Sequence, residues 1–241
     1  MREEANALGQ PTGFLVDGWT PPPHPPLEPV SGRTCRVEPL DAARHATELY
    51  DANLRDGGQR NWTYLPYGPF ESLDAYAAWL TGVADKPDPQ FHAIVDLATN
   101  KAVGVASYLR IDRGAGSIEV GHINYSPLLQ RTVVATEAMH LMMRRVFELG
   151  YRRYEWKCNA LNAASRAAAM RLGFSYEGVF RQARVDKGRN RDTAWYAMID
   201  SEWPALDQAF RRWLDPANFD DRDRQRTPLR TWTDPILVAR G

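Results

Sequence analysis

The hydrophobic positions of this chain change period several times, and each change marks an element. Thr34 to Glu38 reads as a short strand, and Asp41 stands where a side-chain oxygen caps a helix running to about Leu54. An aromatic loop from Arg60 to Phe70 leads to Ser72, which caps a second helix to about Ala84. Phe91 to Asp96, Ala102 to Asp112 and Ser117 to Tyr125 are strand-like runs, with turns near Asn100 and Gly114. From Thr132 to about Leu149, Ala138, Met142, Val146 and Leu149 recur at helical spacing, with Met139, Met143 and Phe147 beside them. So wide an apolar stripe predicts a helix lying on a sheet. There follow a strand at Tyr154 to Cys158, a short alanine-rich helix opened by Asn162, and strands at Ser175 to Val185 and Thr193 to Asp200. Lys187 to Asn190 supplies the turn between the last two. Glu202 to Leu214 reads as a final helix, and a polar tail from Asp215 ends the chain. The order is β-α-α-β-β-β-α-β-α-β-β, an α/β (α+β) chain with a mixed sheet and helices on its faces.

Residues 1–32 stand apart. Seven prolines in that stretch exclude helix and predict an extended, polyproline-like arm. At 241 residues the rest fits one domain, residues 33–203, followed by a helix and tail over 204–241. Thirty basic residues balance thirty acidic ones, which argues against a global field for nucleic acid or an anionic membrane. No apolar run approaches the roughly 20 residues that span a bilayer, and Met1 to Gln10 lacks a charged-then-apolar signal pattern. The expected setting is cytoplasmic. Cys35 and Cys158 fall in strands far apart in sequence and are expected as buried thiols. His122 and His140 have no partners at metal-ligand spacing, so no metal is expected.

The most specific stretch is Asn159 to Phe174, N-A-L-N-A-A-S-R-A-A-A-M-R-L-G-F. Asn162 suits the cap, Ser165 falls at the third helical position, and Gly173 suits the left-handed residue that ends a helix. Upstream, the strand Ile118 to Tyr125 runs into Gln130-Arg131-Thr132-Val133-Val134-Ala135-Thr136, which opens the long helix. Strand, amide-rich helix start, strand, alanine helix and Gly-Phe together resemble the GNAT N-acetyltransferase superfamily over about residues 33–203. The likeness is nearest to its branch of ribosomal-protein N-terminal acetyltransferases, the RimJ/RimL type.

That resemblance implies the acyl-CoA N-acyltransferase fold, with a mostly antiparallel sheet of about seven strands, and acetyl-CoA as co-substrate. Gln130, Arg131, Thr132, Val133, Val134, Ala135 and Thr136 then bind pyrophosphate through helix-start amides. They match the superfamily signature at Gln130 and Ala135 and depart from it at Val133, where glycine is usual. The strands ending near Tyr125 and Cys158 should splay to admit the pantetheine arm. Glu119 is the candidate general base, against the reading of an outward strand carboxylate. Asn162 and Ser165 match the branch's Asn-x-x-Ser, with the serine as donor to the departing thiolate and the asparagine on the cofactor. They serve equally as a capping pair. The tyrosine that many members place four residues before Gly-Phe is Ala169 here. Arg166 and Arg171 are candidates for the nucleotide end of coenzyme A. Trp62, Tyr64 and Tyr67 of the aromatic loop are candidates for the acceptor, with a hydrophobic plug as the other reading. Arg181, Arg184 and Asp186 are expected on the opposite wall. The acceptor is a small-molecule or peptide amine, and a homodimer is consistent with the likeness. The rival function is an acyl-CoA-binding protein without transferase activity, which Val133 and Ala169 permit.

Overall fold

The computed structural model describes residues 3–222 and 224–241. Its N-terminal arm departs from a plain extended segment by opening with an exposed two-stranded hairpin, β1 (Glu3–Ala5) and β2 (Pro11–Gly13). Beyond it the arm packs along the domain. The Trp19 indole N–H donates to the Gly114 carbonyl at 3.2 Å, while the Pro22, Pro23, Pro25 and Glu28 carbonyls accept from Arg113, Tyr151, Gln90 and Arg145. Prolines cannot donate, and here their carbonyls do the anchoring. The arm ends by adding a short strand, β3 (Val30–Ser31), to the sheet edge. This is why the sheet has eight strands rather than about seven.

The domain elements are β4 (Cys35–Pro39), α1 (Ala42–Leu54), α2 (Leu73–Ala84), β5 (Gln90–Asp96), β6 (Lys101–Asp112), β7 (Ser117–Tyr125), α3 (Val133–Glu148), β8 (Arg153–Asn159), α4 (Ala163–Arg171), β9 (Ser175–Asp186), β10 (Arg189–Ile199), α5 (Trp203–Leu214) and α6 (Arg230–Thr233). Asp41, Ser72, Thr132 and Asn162 each accept a hydrogen bond from the backbone N–H three residues on. These four caps set where α1, α2, α3 and α4 begin.

The strand order is β3-β4-β5-β6-β7-β8-β10-β9, and β7–β8 is the one parallel pairing among the described strands. One sheet face packs on α1 and α2 through Leu49, Tyr76, Leu80 and Phe91; the other packs on α3 and α5 through Ile94, Met142, Tyr154 and Phe210. The tail packs on the domain at Leu229, which is buried, and at Ala239, whose carbonyl accepts from the Tyr176 N–H. Cys35 and Cys158 are buried and free. Among the described residues no helix is long and apolar enough to cross a membrane, and no group of His, Cys, Asp and Glu is placed to hold a metal.

His92 of β5 lies in this interior. Its Nδ1 meets the Gln90 carbonyl at 3.1 Å, its Nε2 has no partner, and burial pushes its pKa down to about 4. An unfolded histidine titrates near 6.5, so between those values the unfolded state binds more protons than the native one. Stability therefore falls as pH drops from about 6.5 to about 4, by roughly 3 kcal/mol for this histidine. His122, also lowered to about 4 by burial and nearby arginines, adds to the same window. Melting temperatures taken from pH 7 to pH 4 should decline less steeply in His92→Gln than in the natural chain.

Candidate functional site

The parallel pairing of β7 and β8 lasts four residues, from Ser117–Arg153 to Val120–Trp156. Beyond it the strands part. In β7, Ser107 of β6 faces Gly121 and Val105 faces Asn124, so the ladder skips a residue around His122, whose φ is 50°. Such a bulge bends a strand and re-aims its side chains. β8 meanwhile stays with β10 to its last residue, Asn159 opposite Thr193. The inner edges of Gly121–Ile123 and Lys157–Asn159 are thus left open to a cleft of about 1750 Å³.

One mouth of the cleft is the start of α3. Ala135 N–H is capped by the Thr132 hydroxyl, itself donating to the Leu129 carbonyl at 2.7 Å; the N–H groups of Val133 and Val134 have no acceptor within the helix. Val133 is the first helical residue, so its side chain meets no conformational penalty; the left-handed residue of this turn is Arg131, φ 62°. Gln130 braces the turn from its side chain, donating to Asn61 Oδ1 and to the Tyr125 carbonyl, both at 2.7 Å. Gln130, Arg131, Thr132, Val133, Ala135 and Thr136 line the cleft. Arg171 joins them and lies over the Trp213 ring. Arg166 does not: its guanidinium is taken up by the Tyr196 hydroxyl at 3.1 Å and the Ala160 carbonyl at 3.2 Å. On α4 these two arginines therefore face different ways.

Glu119 faces the cleft but is 1% exposed. Its oxygens accept from Arg110 at 2.5 and 2.7 Å and from the Lys157 ammonium at 3.0 Å. Lys157 also reaches Glu155 at 2.7 Å and sits 3.7 Å from the centre of the Trp195 ring. Asn162 Oδ1 caps Ser165 N–H at 3.1 Å, while the Ser165 hydroxyl accepts from the Trp156 indole at 3.0 Å. A hydroxyl that accepts in this way keeps its own proton to give. Cys158 lines the cleft beside Ser165, and burial holds its thiol above the ordinary range.

The aromatic loop divides. Tyr64 lines the cleft and its hydroxyl reaches the Leu161 carbonyl. Trp62 is 6% exposed and packs edge-on against Phe70 and Tyr76. Tyr67 stacks on Trp79 and His122, which puts its hydroxyl 3.2 Å from His122 Nδ1. Trp62 and Tyr67 thus belong to the plug beneath the loop rather than to the cleft wall. The wall instead includes Arg110, His122, Lys157, Arg184 and Arg191. Of these the sequence pointed only to Arg184. Arg110 and Lys157 lie inside apolar strand runs, the one available sign that a partner waits opposite.

Comparison with known proteins agrees with this architecture. The family model described as acetyltransferase (GNAT) domain matches residues 36–175. A GCN5-related N-acetyltransferase from Brucella melitensis is similar at 44% identity, over 91% of this chain and 100% of that one, with a TM-score of 0.89. A probable GNAT-family acetyltransferase from Chromobacterium violaceum is similar at 42% identity over 81% and 98%, TM-score 0.76. The fold extends to an acetyl transferase from Salmonella typhimurium described as modifying the N-terminal serine of a 50S ribosomal subunit protein, at 22% identity over 70% and 96%, TM-score 0.59. No curated protein sequence gives a significant match.

The two fates of the loop aromatics are separable by melting. Trp62→Ala should lose about 3–5 kcal/mol as a buried aromatic truncation and lower the melting temperature by roughly 10 °C. Tyr64→Ala should stay within about 2 °C of the natural chain.

Proposed function

This chain is a member of the GNAT acetyltransferase family and an N-acetyltransferase, and from that premise we propose that it transfers an acetyl group from acetyl-CoA to a primary amine of a small molecule or of a peptide or protein N-terminus, by direct attack in a ternary complex in the cytoplasm. The observation that carries the reading is the parting of β7 and β8 with the start of α3 at its mouth. Free amides at a helix start suit a pyrophosphate, and two open strand edges suit the amides of a pantetheine arm. A homodimer belongs to the same reading by family likeness alone.

At the reacting end the amine must shed a proton and the thiolate must receive one. Glu119 takes the first through water, because both its oxygens already accept from Arg110 and Lys157. An α-amine, with pKa near 8, is about a tenth neutral at pH 7 and asks little of such a base, whereas a lysine near 10.4 asks more. Ser165 donates a hydrogen bond that stabilises the departing thiolate until solvent protonates it, its hydroxyl oriented by Trp156, and Asn162 presents the carboxamide nitrogen that its cap bond leaves unused. Cys158 stays a thiol, so no acetyl-cysteine step is invoked.

Calorimetry with acetyl-CoA and free coenzyme A tests the first half. Micromolar binding should weaken in the Gln130→Ala, Thr132→Ala double variant, and absence of binding in the natural chain would end the reading. Glu119→Gln and Asn162→Ala test the second half. Each should bind acetyl-CoA like the natural chain and lose about 10²-fold or more in turnover across an amine panel.

A further inference from the structure

We propose that the acceptor carries an oxyanion, a carboxylate or a phosphate, as well as its amine, and that Arg184 of β9 and Arg191 of β10 hold that oxyanion. The inference rests on the cleft being the acetyl-transfer site. Arg184 and Arg191 are Cα partners in the β9–β10 ladder, and both line the cleft. Cross-strand partners stand on one face with Cβ atoms about 5 Å apart, so the two guanidinium groups reach the same space.

Their charges are not balanced. Arg191 Nη1 meets Asp186 Oδ2 at 2.7 Å, and Arg184 Nε meets Asp186 Oδ1 at 3.5 Å. Two guanidinium groups share one carboxylate. Among the neighbouring acids, Glu119 is paired by Arg110 and Lys157 and Glu155 by Lys157 and Arg153; Asp88 and Asp192 are held by neutral donors, the Arg110 and Ile111 N–H groups for one and the Gln182 N–H and Asn190 amide for the other, and neither forms an ion pair with Arg184 or Arg191. The Arg191 side chain is 12% exposed, and its Nε is buried without a partner. A guanidinium removed from water to that degree is costly unless its charge and donors are matched.

His122 records the same field. Besides burial, Arg110, Arg184 and Arg191 all disfavour its proton and outweigh Asp88, which favours it, so three arginines converge on this part of the cleft while the imidazole stays neutral. Planar forks of N–H donors match carboxylate and phosphate oxygens two at a time. Arg191 lies two residues along β10 from Thr193, whose Cα partner is Asn159 at the end of β8. That step is about 7 Å. An oxyanion at the arginines thus leaves the amine a few bonds away, toward the open end of β8.

The test uses matched pairs on protein saturated with coenzyme A: amino acids against their own amides, and phosphoethanolamine against ethanolamine. Calorimetry reads affinity, and acetyl transfer with acetyl-CoA reads kcat/KM. The natural chain should favour the charged member of at least one pair by about tenfold or more, and which pair responds separates carboxylate from phosphate. Arg184→Gln, at a half-exposed position, should bring that ratio close to one by weakening the charged member far more than the neutral one; Arg184→Lys should restore part of it. Asp186→Asn, which strips the shared counter-charge, should raise the preference. Equal affinity for both members, binding of neither, or equal loss of both in Arg184→Gln would overturn the proposal. Anion-selective binding without transfer would leave this site standing and remove the transferase reading; transfer without anion preference would do the reverse.

Discussion

Everything functional in this molecule depends on two central strands giving up each other without giving up their outer partners. β7 and β8 run paired for four residues and then part, yet β7 stays bonded to β6 and β8 to β10. A sheet cannot open at its centre by simple bending, because each central strand is bound on both sides. The bulge at His122 resolves this by letting β7 turn with β6 as a unit. The opening is then braced from three sides. Asn61 and Gln130 both donate to the Tyr125 carbonyl, Lys187 of the β9–β10 turn donates to the Trp62 carbonyl at 2.8 Å, and Tyr64 reaches the start of α4. The aromatic loop is common to all three braces, which is why its buried half matters more for stability than for chemistry.

The same opening creates an electrostatic problem. Glu119 and Glu155 are Cα partners across the parallel pair, so two carboxylates face each other at the last turn before the gap. Like charges in that position repel. Lys157 bonds to both, Arg110 flanks one side and Arg153 the other, and Arg153 passes on to Glu177 of β9 at 2.5 Å. Charges alternate across four strands. Buried ion pairs add little to stability when complete, and much is lost when one member goes. Their value here is positional, since Glu119 has a single place to be.

Much of this was legible in the sequence, because helix starts are local. Asp41, Ser72, Thr132 and Asn162 each announce a helix through a side chain that bonds three residues on, and each does so. Lys187-Gly188 announces the last hairpin in the same way. What could not be read is long-range. Whether an aromatic in a loop faces solvent or core depends on which strands lie beneath it, so Trp62 and Tyr64, two residues apart, look alike in sequence and meet opposite fates. Arg166 and Arg171 likewise share a helix, but their five-residue spacing turns them by about 140° at 3.6 residues per turn, away from each other. The pairings of Glu119 and Asp186 cross strands and have no local sign at all. The one local irregularity, valine at position 133, costs no backbone strain because the first helical residue needs no positive φ.

The Asn162–Ser165 pair shows why a structural and a catalytic reading need not compete. Each residue divides its polar groups between two tasks. The asparagine oxygen and the serine N–H are spent on each other, and that bond starts α4 just past the end of β8. The asparagine nitrogen is left over, the serine hydroxyl reaches the Cys158 side chain, and both residues line the cleft. The cap fixes where these groups stand, and the Trp156 indole fixes how the hydroxyl turns. A group held by a helix start pays little further entropy to act. The local rule that makes the helix is thereby the rule that presents the groups proposed for the chemistry.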